Sequence, residues 1–228
     1  MSRQRVVLSW SGGKDSALAL AALADDPAFE VVALLTSVTR GYDRVSIHGV
    51  RRELLHAQGR SLKLPVHEIV LAPSCTNAAY EAAFHDGLAA ARALHPDVAA
   101  IAFGDLFLED VRAYRERLLA GTGLRPVFPL WGEPTSALAE RCLASGVAAR
   151  LVCVDTTQLD GDFAGRLYDR ALLADLPAAV DPCGERGEFH TFVSDGPGFG
   201  TAVEYRLGEV VRRDERFVYC DLVPAAAD

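Results

Sequence analysis

Two short stretches of this chain carry residue types that do chemistry. The first is Ser11-Gly12-Gly13-Lys14-Asp15-Ser16, which follows the apolar run Val6 to Leu8 and Ser9. Adjacent glycines let a backbone approach a phosphate and adopt positive φ. Backbone N–H groups in such a turn, at the start of a helix, favour negative charge. The hydroxyls of Ser9, Ser11 and Ser16 add hydrogen-bonding groups, and Lys14 adds a positive charge. Asp15 would repel a phosphate unless it orients the loop or holds a cation, so it points to Mg²⁺. The second stretch runs from Asp181 to Val193 and packs Gly184, Glu185, Gly187, Glu188, His190 and Thr191 together. Its glycines let both glutamates turn to one site. There the carboxylates can hold Mg²⁺ or bind a cationic or amide-bearing substrate. The plainer alternatives are a Gly-Gly turn with Ser16 as helix cap, and a solvated charged loop.

The elements that position these stretches follow from periodicity. Val6 to Ser9, Val31 to Ser37, Val66 to Leu71, Val98 to Phe103 and Arg125 to Phe128 read as strands, and Ala149 to Val154 is again strand-like. Helices are expected over 16–24, 49–62, 76–94, 108–120 and 135–145, with Thr76 or Asn77 capping the third. Apolar strands alternating with helices imply an α/β fold with a doubly wound, mostly parallel sheet. Ligands of such sheets bind beyond the carboxyl ends of the strands. The glycine loop, the cluster from Thr36 to His48, Gly104-Asp105, and the run from Asp155 to Asp162 all fall there. The segment 181–200 reads as loop. Two alternating runs follow, Thr201 to Leu207 and Arg216 to Leu222, with 208–215 between them. They suggest a small C-terminal β-rich appendage. The expected division is an α/β domain over 1–130 and a smaller C-terminal region over 131–228. The tail from Pro224 to Asp228 is expected to fray.

The glycine loop is neither GxxxxGK[ST] nor GxGxxG, because Leu8 stands where the first glycine belongs and Asp15 follows Lys14. It resembles the SGGxDS signature of N-type ATP pyrophosphatases, the adenine nucleotide alpha-hydrolases. That resemblance implies a Rossmann-like fold, ATP bound at residues 11–16, and cleavage between the α and β phosphates. Gly184, Glu185, Gly187, Glu188 and Thr191 also resemble the GExGEYxT element of the diphthine–ammonia ligase branch, with Phe189 in place of tyrosine. So do Ser194 to Phe199, Gly104-Asp105, Tyr114 to Arg117, and Pro129-Leu130-Trp131. The resemblance spans roughly Val6 to Val223.

By that resemblance, an acceptor carboxylate is adenylated, pyrophosphate leaves, and ammonia completes an amide as AMP departs. ATP and Mg²⁺ are the implied cofactors. Lys14 and the loop amides stabilise charge, Asp15 holds metal, and Glu185 and Glu188 serve the acceptor with Gly184, Gly187, His190 and Thr191. Thr36, Ser37 and Thr39 are placed to meet adenosine, and His48, Gly104 and Asp105 lie at the ligand edge. Cys183 is either a nucleophile or a small buried residue. Asp155 and Asp160 either cap the following turn or face the cleft. The acceptor is a small-molecule or protein-borne carboxylate, and a homodimer is an open assembly.

Composition narrows the alternatives. The 228 residues carry a formal net charge of −8, which argues against a broad nucleic-acid surface. Five cysteines without a CxxC pair suit reduced, free thiols, and no apolar run approaches the roughly 20 residues of a membrane span. No secretory leader is expected, so the expected location is cytoplasmic. Sulfur transfer to tRNA would want paired cysteines and a basic surface. A non-catalytic ATP or AMP sensor would need the glycine loop but have little use for glutamates facing it.

Overall fold

The computed structural model describes residues 3–225. The part of the expected frayed tail from position 226 onward lies outside the described residues.

The first sheet is built as the periodicity predicts. Strands β1 (Gln4–Ser9), β2 (Phe29–Thr39), β4 (Val66–Leu71), β5 (Val98–Ala102) and β6 (Arg125–Val127) are parallel, in the spatial order β4-β2-β1-β5-β6. A two-residue strand, β3 (Arg44–Val45), pairs antiparallel with the end of β2. Helices α1 (Lys14–Asp25) and α2 (Arg52–Leu62) lie on one face, and α3 (Asn77–Leu94) and α4 (Glu109–Leu118) on the other. Successive residues of β1 divide between the faces. Val6 and Leu8 join the core under α1 and α2, and Val7 joins the core under α3 and α4. All three are fully buried, as the unbroken apolar run requires in a sheet covered on both sides. Thr76 caps α3 by accepting a hydrogen bond from the Ala79 N–H at 3.3 Å.

After α5 (Thr135–Ala144) comes a second sheet, which differs from the expectation. Strand β7 (Ala148–Asp155) does not extend the parallel sheet. It is central in a four-stranded antiparallel sheet ordered β8-β7-β10-β9. Its apolar run is continuous because both of its faces are buried, and such a run does not reveal strand direction. Strand β8 (Phe189–Asp195) falls within the segment read as loop. Strand β9 spans Tyr205–Arg213, not 201–207, and turns at Asp214 and Glu215 into β10 (Phe217–Pro224). Both turn residues have positive φ, 50° and 55°, the conformation a tight hairpin needs. As an edge strand, β9 leaves Leu207 and Val210 exposed, so it has no clean alternation to read. A short helix, α6 (Arg170–Asp175), also went unread.

Ala149, Leu151 and Phe192 of the second sheet share the core of β1, α1 and α2. The backbone joins them as well, through the Val193 N–H to the Gly12 carbonyl at 2.9 Å. No helix among the described residues is long and apolar enough to cross a membrane.

Candidate active site

The strand order reverses at β1, so the crevice between the carboxyl ends of β1 and β5 is the topological switch point of the sheet. A cavity of about 280 Å³ opens there. Both chemically suggestive stretches reach it. From the first come Ser9, Ser11, Lys14, Asp15 and Ser16; from the second come Gly184, Glu185, Gly187, His190 and Thr191. His48, Gly104 and Asp105 complete the expected lining. Gly104 is where the chain after β5 presses on the start of α1. A Cβ there would lie 3.1 Å from the Asp15 carbonyl carbon and oxygen and 3.2 Å from the Ser16 nitrogen.

The glycine loop is held from the second sheet. The Lys14 N–H donates to Thr191 Oγ1 at 3.0 Å, while Ser16 Oγ donates to the Gly13 carbonyl at 2.8 Å. The Lys14 side chain departs from the expectation of a phosphate-binding cation. It is buried, its ammonium donates to both Asp15 oxygens at 2.8 and 2.9 Å, and it also donates to the Cys183 carbonyl. The rings of Tyr168 and Phe189 lie 5.4 and 5.5 Å from Nζ. Burial pulls the pKa of this lysine down, but Asp15, together with Cys183 and Tyr168, outweighs that and holds it above the ordinary range. Burial also raises the Asp15 pKa, against the pull of Lys14. The lysine therefore orients Asp15 and anchors the loop at 183.

The two glutamates of the second stretch are separated. Glu185 faces the cavity and accepts from the Leu106 N–H at 2.7 Å. Burial pushes its pKa up to about 7, the backbone N–H groups oppose the rise, and Asp15 and Asp105 add to it. Glu188 is turned inward and does not line the cavity. It is 2% exposed, and its carboxylate accepts from the N–H groups of Asp181 and Arg186, both at 2.9 Å. Its expected contact with an acceptor is replaced by a role inside the loop.

The two histidines meet, with ring centroids 4.5 Å apart. His48 Nδ1 stands 3.3 Å from the Thr191 carbonyl. Facing a carbonyl, that nitrogen is the donor, which leaves Nε2 as the acceptor. Burial lowers the His48 pKa to about 4 and holds His190 well below the usual range, with His48 a second cause. Both rings are neutral at pH 7.

Several expected residues stand off the cavity wall. Thr36 is buried, and its hydroxyl has no partner. Ser37 is half-buried, with its carbonyl accepting from Ser46, and Thr39 pairs through its hydroxyl with Ser46. Thr39 instead lines a neighbouring cavity, which meets the first at Ile47. Gly12 and Gly13 sit behind the wall. Cys183 is buried, and its thiol is pushed up to about 12 by burial, which removes nucleophilic character. Asp155 and Asp160 both cap turns. Asp155 accepts from Thr157 and pairs with Arg216 at 2.6 Å, and Asp160 accepts from the Asp162 N–H.

Three residues at or behind the site were missed. Arg115 lines the cavity and reaches Asp105 at 3.3 Å while lying 5.0 Å from the Phe103 ring. Asp181 accepts from the Cys183 N–H and from Thr135 Oγ1. Gln58 is fully buried on α2. A signal for Gln58 existed, since it sits between Leu54, Leu55 and Leu62 on the apolar face of its helix. Arg115 lies in the run Tyr114 to Arg117 that carries the family resemblance, but no role was read for it, and Asp181 gave no signal beyond opening the second stretch.

Among the described residues, no three His, Cys, Asp or Glu side chains stand together as a metal cage. Asp15 and Asp105 fit a Mg²⁺ held by one or two carboxylates together with phosphate oxygens, the usual mode for that ion.

A cavity at the switch point of a doubly wound sheet is where α/β proteins of this class take their ligands. The diphthamide synthase N-terminal domain matches residues 4–126, and the diphthamide synthase C-terminal domain matches 135–221. The chain belongs to the diphthamide synthase family. A diphthine–ammonia ligase of Schizosaccharomyces pombe is 29% identical over 121 residues, which is 51% of this chain and 20% of that protein.

Proposed function

We propose that this chain is an ATP-dependent ligase that adenylates a carboxylate acceptor and joins it to ammonia, releasing pyrophosphate and AMP. The observation that carries the reading is the convergence of the Ser11–Ser16 loop with Glu185, His190 and Thr191 on one cavity at the switch point. Family membership and the activity named for the yeast relative support it. In this reading residues 1–130 bind nucleotide and 131–228 serve the acceptor, both from the walls of the same cavity. The protein acts in the cytoplasm on a small-molecule or protein-borne carboxylate, with a homodimer compatible with this chemistry.

ATP supplies an adenylyl group that turns the acceptor carboxylate into a good electrophile. The chain's own residues do the rest. The loop N–H groups and the hydroxyls of Ser11 and Ser16 bind phosphate oxygens, favoured by the start of α1. Asp15, fixed by Lys14, and Asp105, fixed by Arg115, are the carboxylates that would hold a Mg²⁺, which would neutralise phosphate charge. Glu185, with a pKa near neutrality, accepts the proton that the attacking nitrogen must lose. The neutral rings of His48 and His190 line the space without repelling a cationic ammonium. Glu185 also argues against a purely sensing role, because binding nucleotide gives no reason to keep a buried carboxylate beside phosphates.

The test is product analysis with ATP labelled separately at the α and γ phosphates, in the presence of Mg²⁺, ammonium and a pool of cell metabolites. AMP with pyrophosphate is the expected outcome, with sustained release of AMP requiring ammonium. ADP with phosphate would reject adenylation, and tight ATP binding without turnover would favour the sensor.

A further inference from the structure

The Gly12–Gly13 peptide is oriented by a side chain that no sequence motif includes. Gly12 has φ of +80°, which turns its carbonyl away from the cavity. That carbonyl accepts twice, from the Val193 N–H at 2.9 Å and from Gln58 Nε2 at 3.0 Å. The second hydrogen of the same amide goes to the Val193 carbonyl at 2.6 Å. Gln58 Oε1 accepts from Trp10 Nε1 at 2.9 Å. The amide thus uses both donors and one acceptor position while fully buried. It joins α2, the strand end before the glycine loop, the loop itself, and β8 of the second sheet. Gly12 is shaped to it as well, since a Cβ there would lie 2.8 Å from Gln58 Oε1.

In a trans peptide the N–H points opposite to the C=O, and no peptide among the described residues is cis. Fixing the Gly12 carbonyl toward α2 and β8 therefore aims the Gly13 N–H the other way. There it meets Ser11 Oγ at 3.3 Å, a long contact to a hydroxyl that itself lines the cavity. The Gly13 N–H lies just behind the lining residues Ser11 and Lys14, so an anion seated between Ser11 and Ser16 can draw this weakly held donor to itself.

We infer that Gln58 is a positioning residue for nucleotide binding: by holding the Gly12 carbonyl it presents the Gly13 N–H to a phosphate oxygen, and it makes that presentation depend on β8 being docked. The inference rests on the proposal that phosphates occupy this cavity. Without Gln58, the Gly12 carbonyl keeps one partner and the peptide gains freedom to rotate. Val193 O and Trp10 Nε1 also lose their partner.

The test follows backbone amides by ¹H–¹⁵N NMR during titration with MgATP, together with calorimetric affinities for wild type and Gln58→Met, a substitution of similar length without hydrogen-bonding groups. In the wild type the Gly13 amide is expected to shift downfield along with Ser11 and Ser16. In Gln58→Met, measured well below its own Tm, ATP affinity is expected to fall tenfold or more, with the Gly13 shift lost. A lower Tm with unchanged affinity and an unchanged Gly13 shift would reduce Gln58 to a core residue and overturn the inference. If the variant does not fold, the wild-type spectra still decide. Shifts at Ser11 and Ser16 with none at Gly13 overturn the role of Gln58 alone, and no shift anywhere along the cavity overturns the nucleotide reading with it.

Discussion

The glycine loop of residues 11–16 and the segment 181–191 come from different sheets, yet each divides its charged residues in the same way. In the loop, Lys14 borders the cavity but is 1% exposed, with its ammonium held by Asp15 and the Cys183 carbonyl, while Asp15 is the more open of the two at the cavity wall. In the segment, Glu188 turns inward onto two backbone N–H groups, while Glu185 stays at the wall. The lesson is that residue type alone does not assign a role in either stretch. One charge of each pair shapes the backbone so that the other can face a ligand. Removing an inward charge should cost stability first, and removing an outward one should change titration and chemistry with little structural loss.

The largest effect is expected at Lys14. Lys14→Met leaves the Asp15 carboxylate and the Cys183 carbonyl without their buried partner. Removing one member of such a pair costs about 3–5 kcal/mol, read as a drop in the urea midpoint. A variant as stable as wild type would mean that the ammonium is not the anchor, and would return it to the role of a phosphate ligand.

Glu188→Ala comes next. It strands the Asp181 and Arg186 N–H groups in a buried turn, at about 2–4 kcal/mol by the cost of unsatisfied donors. Denaturant unfolding measures it. A loss of activity with unchanged stability would instead place Glu188 on the acceptor.

The smallest effect has the opposite sign. The folded pKa of Glu185, about 7, lies above the ordinary 4.5, so the folded protein binds more protons than the unfolded chain between those values. Stability from this group is full below pH 4.5, falls as pH rises toward 7, and levels off above. Glu185→Gln should therefore raise Tm at pH 8, by roughly 1–3 kcal/mol of stability, and leave it unchanged near pH 4. Its activity should be low at every pH. A Tm gain equal at both pH values would show that the carboxylate is not held proton-bound by the fold.

The same division explains what the sequence made legible. The parallel sheet could be read because β1, β2 and β5 carry apolar runs buried by helices and bounded by turns. The glycine loop was legible because its residue types are improbable in a plain turn. The second sheet was half legible. Phe189 to Asp195 carries His190, Thr191 and Ser194 among its apolar residues because its polar side chains face the cavity and the loop, which breaks the pattern of a strand. The inward turns of Lys14 and Glu188 were illegible, because backbone groups 169 and 7 residues away are among the partners that hold them. Gln58 was the one buried helper with a mark on the sequence, a lone amide in an apolar helix stripe.

The hydrogen bond from the Lys14 N–H to Thr191 Oγ1 spans 177 residues of chain, which has a consequence during synthesis. The glycine loop leaves the ribosome 177 residues ahead of the strand residue that fastens it. Until Thr191 and Val193 have emerged, the loop lacks the donors and acceptors that set its shape. A nascent chain therefore makes this whole stretch with the glycine loop unfastened, and the loop takes its final shape only once β8 has emerged and docked.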